Sequence, residues 1–142
     1  MVGVGGVIID RGRALLIRRG SEPLLGEWSI PGGTLELGET LEEGVARELL
    51  EETGLTIRVI ELIEVFDRIY VESTAGEGKK GPRFHYVIVD YLCERLSGEA
   101  VAGSDVTDVA FASEEELGEY NLTETATRIL KKAFAMERSR QR

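Results

Sequence analysis

Apolar residues recur every fourth position from Leu41 through Val45 to Leu49, with Ala46 and Leu50 beside them. At 3.6 residues per turn these positions form one stripe, so a helix is predicted with that stripe facing a core. Thr40 is a suitable N-cap, Glu43 three residues later completes a capping box, and Gly54 supplies a left-handed stop with Leu55 folding back behind it. The predicted helix therefore runs over 41–53. Elsewhere the pattern is that of strands. Residues 2–9 and 14–18 are apolar and β-branched, joined by a hairpin turn at 10–13, and 56–70 reads as one long strand or two. Residues 84–96 form another long strand and 106–112 a short one. Ser113 caps a turn over 114–116, and 122–136 is an amphipathic helix with Ile129, Leu130 and Phe134 inward.

Between the long strands, 72–82 is small, polar and glycine-rich, which predicts a mobile loop with Lys79 and Lys80 at its tip. Gly3, Gly5 and Gly6 fall inside the first strand, where glycine signals a bulge or the close approach of other backbone. They are not a phosphate loop, because no Lys-Ser or Lys-Thr pair and no helix follow. With no repeat and no linker, the chain reads as one domain over 1–142, of α+β or α/β/α type.

A hydrophobic fraction of 42% with 30% charged residues is that of a soluble globular protein. No apolar run approaches a membrane span and the first residues lack a signal-peptide pattern, so a cytosolic setting without membrane attachment is expected. One cysteine, Cys93, in an apolar run excludes an internal disulfide and reads as core. The net charge of -9 argues against a nucleic-acid partner. Arg128, Lys131, Lys132, Arg138, Arg140 and Arg142 make the last stretch basic, which reads first as a solvated helix face.

The helix over 41–53 carries Glu48, Glu51 and Glu52 within one narrow sector. Like charges at that spacing repel, so the run reads either as solvated surface glutamates, the commoner case for such a string taken alone, or as a site for a cation. Hard oxygen donors with room for water suit Mg²⁺ or Mn²⁺. Arg47 beside them can fix a carboxylate by paired hydrogen bonds. Such a site can cleave a phosphoanhydride by metal-assisted attack of water. His85, the one histidine, has no nucleophile tied to it in the sequence and reads as structural or substrate-contacting.

The whole arrangement, Gly33-x5-Glu39-x7-Arg47-Glu48-Leu49-x-Glu51-Glu52-x-Gly54-Leu55, resembles the signature of the MutT-like Nudix hydrolases at every fixed position. The resemblance implies an α/β/α sandwich with a mixed central sheet, and cleavage of a nucleoside diphosphate linked to another moiety. It implies metal ligation by Glu48, Glu51 and Glu52, orientation of these by Arg47, Glu39 near the same site, and Pro31-Gly32-Gly33 as the loop leading in. The base varies in the family between a glutamate of the signature and an acid on a loop after the central strands; catalytic roles are expected of Glu51, Glu52, Arg47 and Asp105, with Glu99 and Asp108 as rivals to Asp105. A homodimer is compatible with the family, and nothing in the sequence specifies it.

The flanks, Leu15-Leu16-Ile17-Arg18-Arg19, Trp28-Ser29-Ile30-Pro31 and Phe84-His85-Tyr86-Val87-Ile88-Val89-Asp90, look like the short bacterial group labelled ADP-ribose pyrophosphatases. The expected substrate is thus ADP-ribose or a nucleotide sugar. Alternatives are a MutT-type nucleoside triphosphate pyrophosphatase and a noncatalytic nucleotide-binding module. Substrate contacts are expected from Arg18, Arg19, Trp28, Gly32 and Gly33, where Trp28 either stacks on a base or fills core.

Overall fold

The computed structural model describes residues 1–22, 24–73 and 80–141, with 70–73 and 80–83 given by backbone alone. The chain begins with β1 (Val2–Asp10) and β2 (Arg13–Arg19), joined by a tight turn in which Arg11 and Gly12 both have positive φ, 53° and 77°. That conformation matches the twist of the two strands it connects. Next come β3 (Trp28–Ser29), β4 (Gly32–Thr34), α1 (Leu41–Thr53), β5 (Thr56–Ser73), β6 (Lys80–Ser97) and β7 (Val106–Ser113). A 3₁₀ helix (Glu114–Tyr120) and α2 (Glu124–Arg140) complete the order.

β1 is the hub of a mixed sheet. It runs parallel to β6, with Val2 opposite Val87 and Ile8 opposite Cys93, and antiparallel to β4, with Gly5 opposite Gly32. β6 pairs antiparallel with β5, and β2 pairs antiparallel with β3 and β7. Side chains alternate between two faces, as the strand period requires. Val4, Ile8, Leu15 and Cys93 face one way and pack on Val45 and Leu49 of α1. Val7, Leu16 and Leu92 face the other and pack on Ile129, Leu130 and Phe134 of α2. One helix therefore covers each face, which is the expected α/β/α sandwich around a mixed sheet. Cys93 is buried in the α1-side core, as its apolar neighbours suggest.

α1 has the predicted bounds and both predicted caps. Thr40 Oγ1 accepts from the Glu43 amide at 3.1 Å, Glu43 Oε1 accepts from the Thr40 amide at 2.9 Å, and Gly54 sits at φ 74°. Elsewhere the structure adds to the sequence reading. The Gly32-Gly33 stretch, expected as loop, is the short strand β4, because its backbone pairs with β1. The loop expected over 72–82 is narrower, since Glu72 and Ser73 are still paired with Gly81 and Lys80 in a continuing hairpin; Lys79 and the loop's centre lie outside the described residues. The turn after Ser113 lengthens into the 3₁₀ helix, and α2 starts two residues later than expected and runs four further. No helix among the described residues is long and apolar enough to cross a membrane.

Leu49 is wholly buried between α1 and the sheet. Leu49→Ala should lower stability by about 2–5 kcal/mol in urea unfolding, and a loss under about 1 kcal/mol would mean that α1 is not anchored through this residue.

Candidate functional site

The C-terminal half of α1 gathers the acids. Arg47, one turn earlier, holds them in an ordered array. Its Nε and Nη2 donate to the two carboxylate oxygens of Glu39 at 2.6 and 2.9 Å. Nη1 donates to Glu48 Oε1 at 2.9 Å and Glu51 Oε2 at 3.2 Å, while Nη2 also reaches the Thr34 carbonyl at 3.1 Å. The guanidinium therefore ties the helix to the strand β4 and to the turn that precedes α1. These bonds hold the Glu39 carboxyl below the usual carboxylate range, with a further contribution from the Glu36 backbone.

Glu48 and Glu52 sit deeper. Glu52 is 8% exposed and its Oε1 accepts from the Gly32 amide at 2.7 Å. Burial pushes its pKa up to about 7, opposed by the Gly32 bond and raised further by the charges of Glu48 and Asp105. Burial likewise raises the Glu48 pKa against the pull of Arg47. Glu48 lies against Gly33 so closely that a β-carbon there would fall 2.4 Å from its carboxyl group. A β-carbon at Gly32 would fall 2.2 Å from the Val4 carbonyl oxygen, so the approach of backbone requires glycine there.

Asp105 reaches the cluster by a route with no local sequence signal. The segment before it runs across the end of α1, where the amides of Val101, Gly103 and Ser104 donate to the carbonyls of Thr53, Glu52 and Glu51 at 2.9, 2.9 and 3.0 Å. These bonds satisfy carbonyls that a helix end leaves open. Asp105 then turns with φ 56°, and its carbonyl accepts from the Gly20 amide at 2.8 Å. Of the rival acids, Asp108 accepts from the Val109 amide at 2.9 Å, and the Glu99 backbone lies beside Gly54.

Adjoining the acids across Gly32 and Gly33 is a cavity of about 690 Å³, within the range of small-ligand sites. Arg19, Trp28, Gly32 and Gly33 line it. Trp28 faces the cavity and packs edge-on against Tyr120 with ring centres 5.3 Å apart. Arg18 is not among the lining residues. It is exposed, and its Nε donates to the Gly26 carbonyl at 3.0 Å, which pins the loop between β2 and β3. His85 is exposed on the opposite sheet face and bonds Asp67 at 2.8 Å.

The sequence reading passed over Asp90. This acid is 4% exposed, lines the same cavity, and has its pKa raised to about 7 by burial, with the Arg68 charge opposing. A lone acid inside the apolar run Val87-Ile88-Val89-Asp90-Tyr91-Leu92 was the available signal, since unpaired carboxylates are rarely buried.

The acid cluster fits a divalent cation that takes few protein ligands. Glu48, Glu51 and Glu52 offer hard oxygens at a helix C-terminus, where the helix dipole and mutual repulsion both disfavour negative charge. It does not fit a closed cage. Among the described residues no three acidic, histidine or cysteine side chains already enclose a metal position, and Arg47 occupies one oxygen each of Glu48 and Glu51.

Residues 1–133 match the NUDIX domain family. Over 110 residues the chain is 36% identical to the ADP-ribose pyrophosphatase of Methanocaldococcus jannaschii, covering 78% of this chain and 60% of that protein, under two thirds of its length. It is 31% identical over 127 residues to the nucleoside triphosphatase NudI of an Enterobacter species, covering 87% of this chain and 88% of the relative. The fold superposes on the crystal structure of a MutT NUDIX hydrolase from Burkholderia pseudomallei with a TM-score of 0.73, 31% identity and coverage of 92% and 95% of the two chains.

The raised pKa values of Glu52 and Asp90 carry a sign for stability. Their ordinary values are 4.5 and 3.8, so between those and about 7 the folded chain binds more protons than the unfolded one, and stability falls as pH rises through that window. Glu39, Glu43 and Glu116 are shifted down and act below it. Without metal, Tm should be higher near pH 5.5 than near pH 8, and Asp90→Asn should shrink the difference; a Tm that rises over this range contradicts the assignment.

Proposed function

The chain belongs to the Nudix hydrolase family, and from that premise we propose that it cleaves the pyrophosphate bond of a nucleoside diphosphate linked to another moiety, with ADP-ribose or a nucleotide sugar as substrate. The observation that carries this reading is the contact between the acid cluster and the cavity: Glu52 bonds the Gly32 amide on one side of β4, and Gly32 lines the cavity on the other. A nucleotide held in the cavity would present its phosphates to the acids. Similarity to the ADP-ribose pyrophosphatase of Methanocaldococcus supports ADP-ribose, and similarity to the nucleoside triphosphatase of Enterobacter keeps nucleoside triphosphates as the second reading.

In this proposal Glu48, Glu51 and Glu52 hold Mg²⁺ or Mn²⁺, which would offset phosphate charge and lower the pKa of bound water. Arg47 fixes the carboxylates, so that few side-chain rotations remain to be arrested when substrate arrives. Asp105, close enough to raise the Glu52 pKa, accepts the proton of the attacking water. Arg19 and the amides of the Gly32-Gly33 strand face the phosphates, and Trp28 faces the nucleoside. Arg18 acts at one remove through the loop it pins. The proposal also includes a cytosolic setting and a homodimer. Val65, Ile69 and Val87, exposed together on the β5–β6 face away from the cavity, support an interface there.

Release of phosphate products from ADP-ribose, nucleotide sugars and nucleoside triphosphates, with Mg²⁺ or Mn²⁺, tests the reading. ADP-ribose or a nucleotide sugar should give the highest kcat/KM, and turnover confined to triphosphates would favour the second reading. Glu52→Gln should lower kcat by about two orders of magnitude or more while thermal unfolding stays cooperative, and near-normal turnover would remove Glu52 from the metal set. Arg47→Lys keeps the charge and loses the fork, so it should cut kcat more than tenfold, with full activity excluding the positioning role.

A further inference from the structure

The basic residues of α2 are more than a solvated face. Arg138 pairs with Glu114 of the 3₁₀ helix, Arg140 with Glu94 of β6, and Arg128 and Lys132, one turn apart, with the two carboxylate oxygens of Glu64 on β5. Partly exposed pairs of this kind add little stability, because water and salt compete for each partner. The Arg128 pair differs from the others in what stands beside it. Its guanidinium also lies over the Phe66 ring, 5.7 Å from the centre.

Glu64, Phe66 and Arg68 follow one another at every second position of β5, so all three share the α2 face of the sheet. The row crosses from helix-covered sheet to open cavity. Glu64 is bound by the helix cations, whereas Phe66 and Arg68 line the cavity together with Ala126 and Ile129 of α2. Arg128, between those two in the chain, is not among the lining residues, so what it does to the cavity it does through Phe66. The terminal torsion of a phenyl ring is broad, and a cation over the ring face favours one orientation. Glu64 in turn limits where the long Arg128 side chain can go. Without Arg128, Glu64 still has Lys132, but the contact with the ring is lost. We propose that Arg128 is a positioning residue for the hydrolysis: held by Glu64, it fixes the Phe66 wall of the cavity and so sets KM rather than kcat. The inference rests on the nucleotide-hydrolase reading. Glu64 and Phe66 are not partners of Arg47, so the acids of α1 keep their order when Arg128 is replaced.

Steady-state hydrolysis by the full chain, with ADP-ribose or whichever compound the substrate comparison ranks above it, tests the proposal. Arg128→Met keeps the length of the side chain and loses its charge, so KM should rise about threefold to tenfold with kcat within about twofold of the unaltered value. Arg128→Lys retains a cation and should recover part of the loss. Arg138→Met breaks a comparably exposed pair on the same helix and should leave KM where it was. The decisive comparison is a cycle with Phe66→Leu: because Arg128 works through the ring, adding Arg128→Met to Phe66→Leu should change KM no further. An unchanged KM in Arg128→Met, a fall in kcat alone, an equal rise in Arg138→Met, or full additivity in the cycle overturns the proposal. Binding of ADP-ribose to the metal-free chain, measured by titration calorimetry, separates this failure from that of the function itself. A Kd raised by Arg128→Met, but not in the Phe66→Leu background, without cleavage of any pyrophosphate by the unaltered chain keeps the positioned wall and removes the hydrolase. Cleavage with an ordinary KM in Arg128→Met keeps the hydrolase and removes Arg128 from it. Neither binding nor cleavage removes both.

Discussion

The Arg47 guanidinium is the tie on which the site depends. Glu39, Glu48 and Glu51 would repel one another, and the last two stand toward the end of a helix whose dipole already disfavours them. One planar cation with five donors in fixed directions draws all three into register and adds the Thr34 carbonyl. The strand β4, the turn before α1 and the helix are thereby held at one point. A lysine could supply the charge, but it lacks the fork that fixes several carboxylates at once.

What Arg47 does for Glu39, Glu48 and Glu51, backbone does for the buried Glu52. Glu52 receives the Gly32 amide, and the carbonyls of its own helix end are met by the amides of Val101, Gly103 and Ser104. The two arrangements leave the acids ordered and still unfavourable, since Glu48 and Glu52 are both shifted toward protonation. A region that keeps such tension is a functional candidate on physical grounds, because a fold selected for stability alone would have relieved it.

Local chemistry explains what could be read from the sequence. The caps and stripe of α1 lie within fifteen consecutive residues, so Thr40, Glu43, Leu49 and Gly54 announced the helix and its acids without help from the rest of the chain. The hairpin at Arg11-Gly12 was equally self-contained. The strands β3 and β4 were missed because two or three residues have no periodicity; they exist only through pairing with β2 and β1. Asp90 was missed for the same reason at longer range. Its neighbour Gly5 is 85 residues away, and only the parallel register of β1 and β6 brings the glycine and the carboxylate together. Arg18 and Arg19 were indistinguishable in sequence, but the register of β2 against β7 shifts between them, and the cavity takes Arg19 while the loop takes Arg18.

That parallel pairing also sets an order of events. β1 and β2 can close their hairpin as soon as both exist, but β1 has its parallel neighbour only after β6 has been made, with α1 and the whole of β5 in between. Contacts so distant along the chain close slowly, and until they do the apolar edge of β1 is open to any other strand. During synthesis on a ribosome, the acidic helix can therefore take shape well before there is a cavity beside it. The emerging chain passes through a period in which the acids of α1 are already in place and the cavity beside them is not.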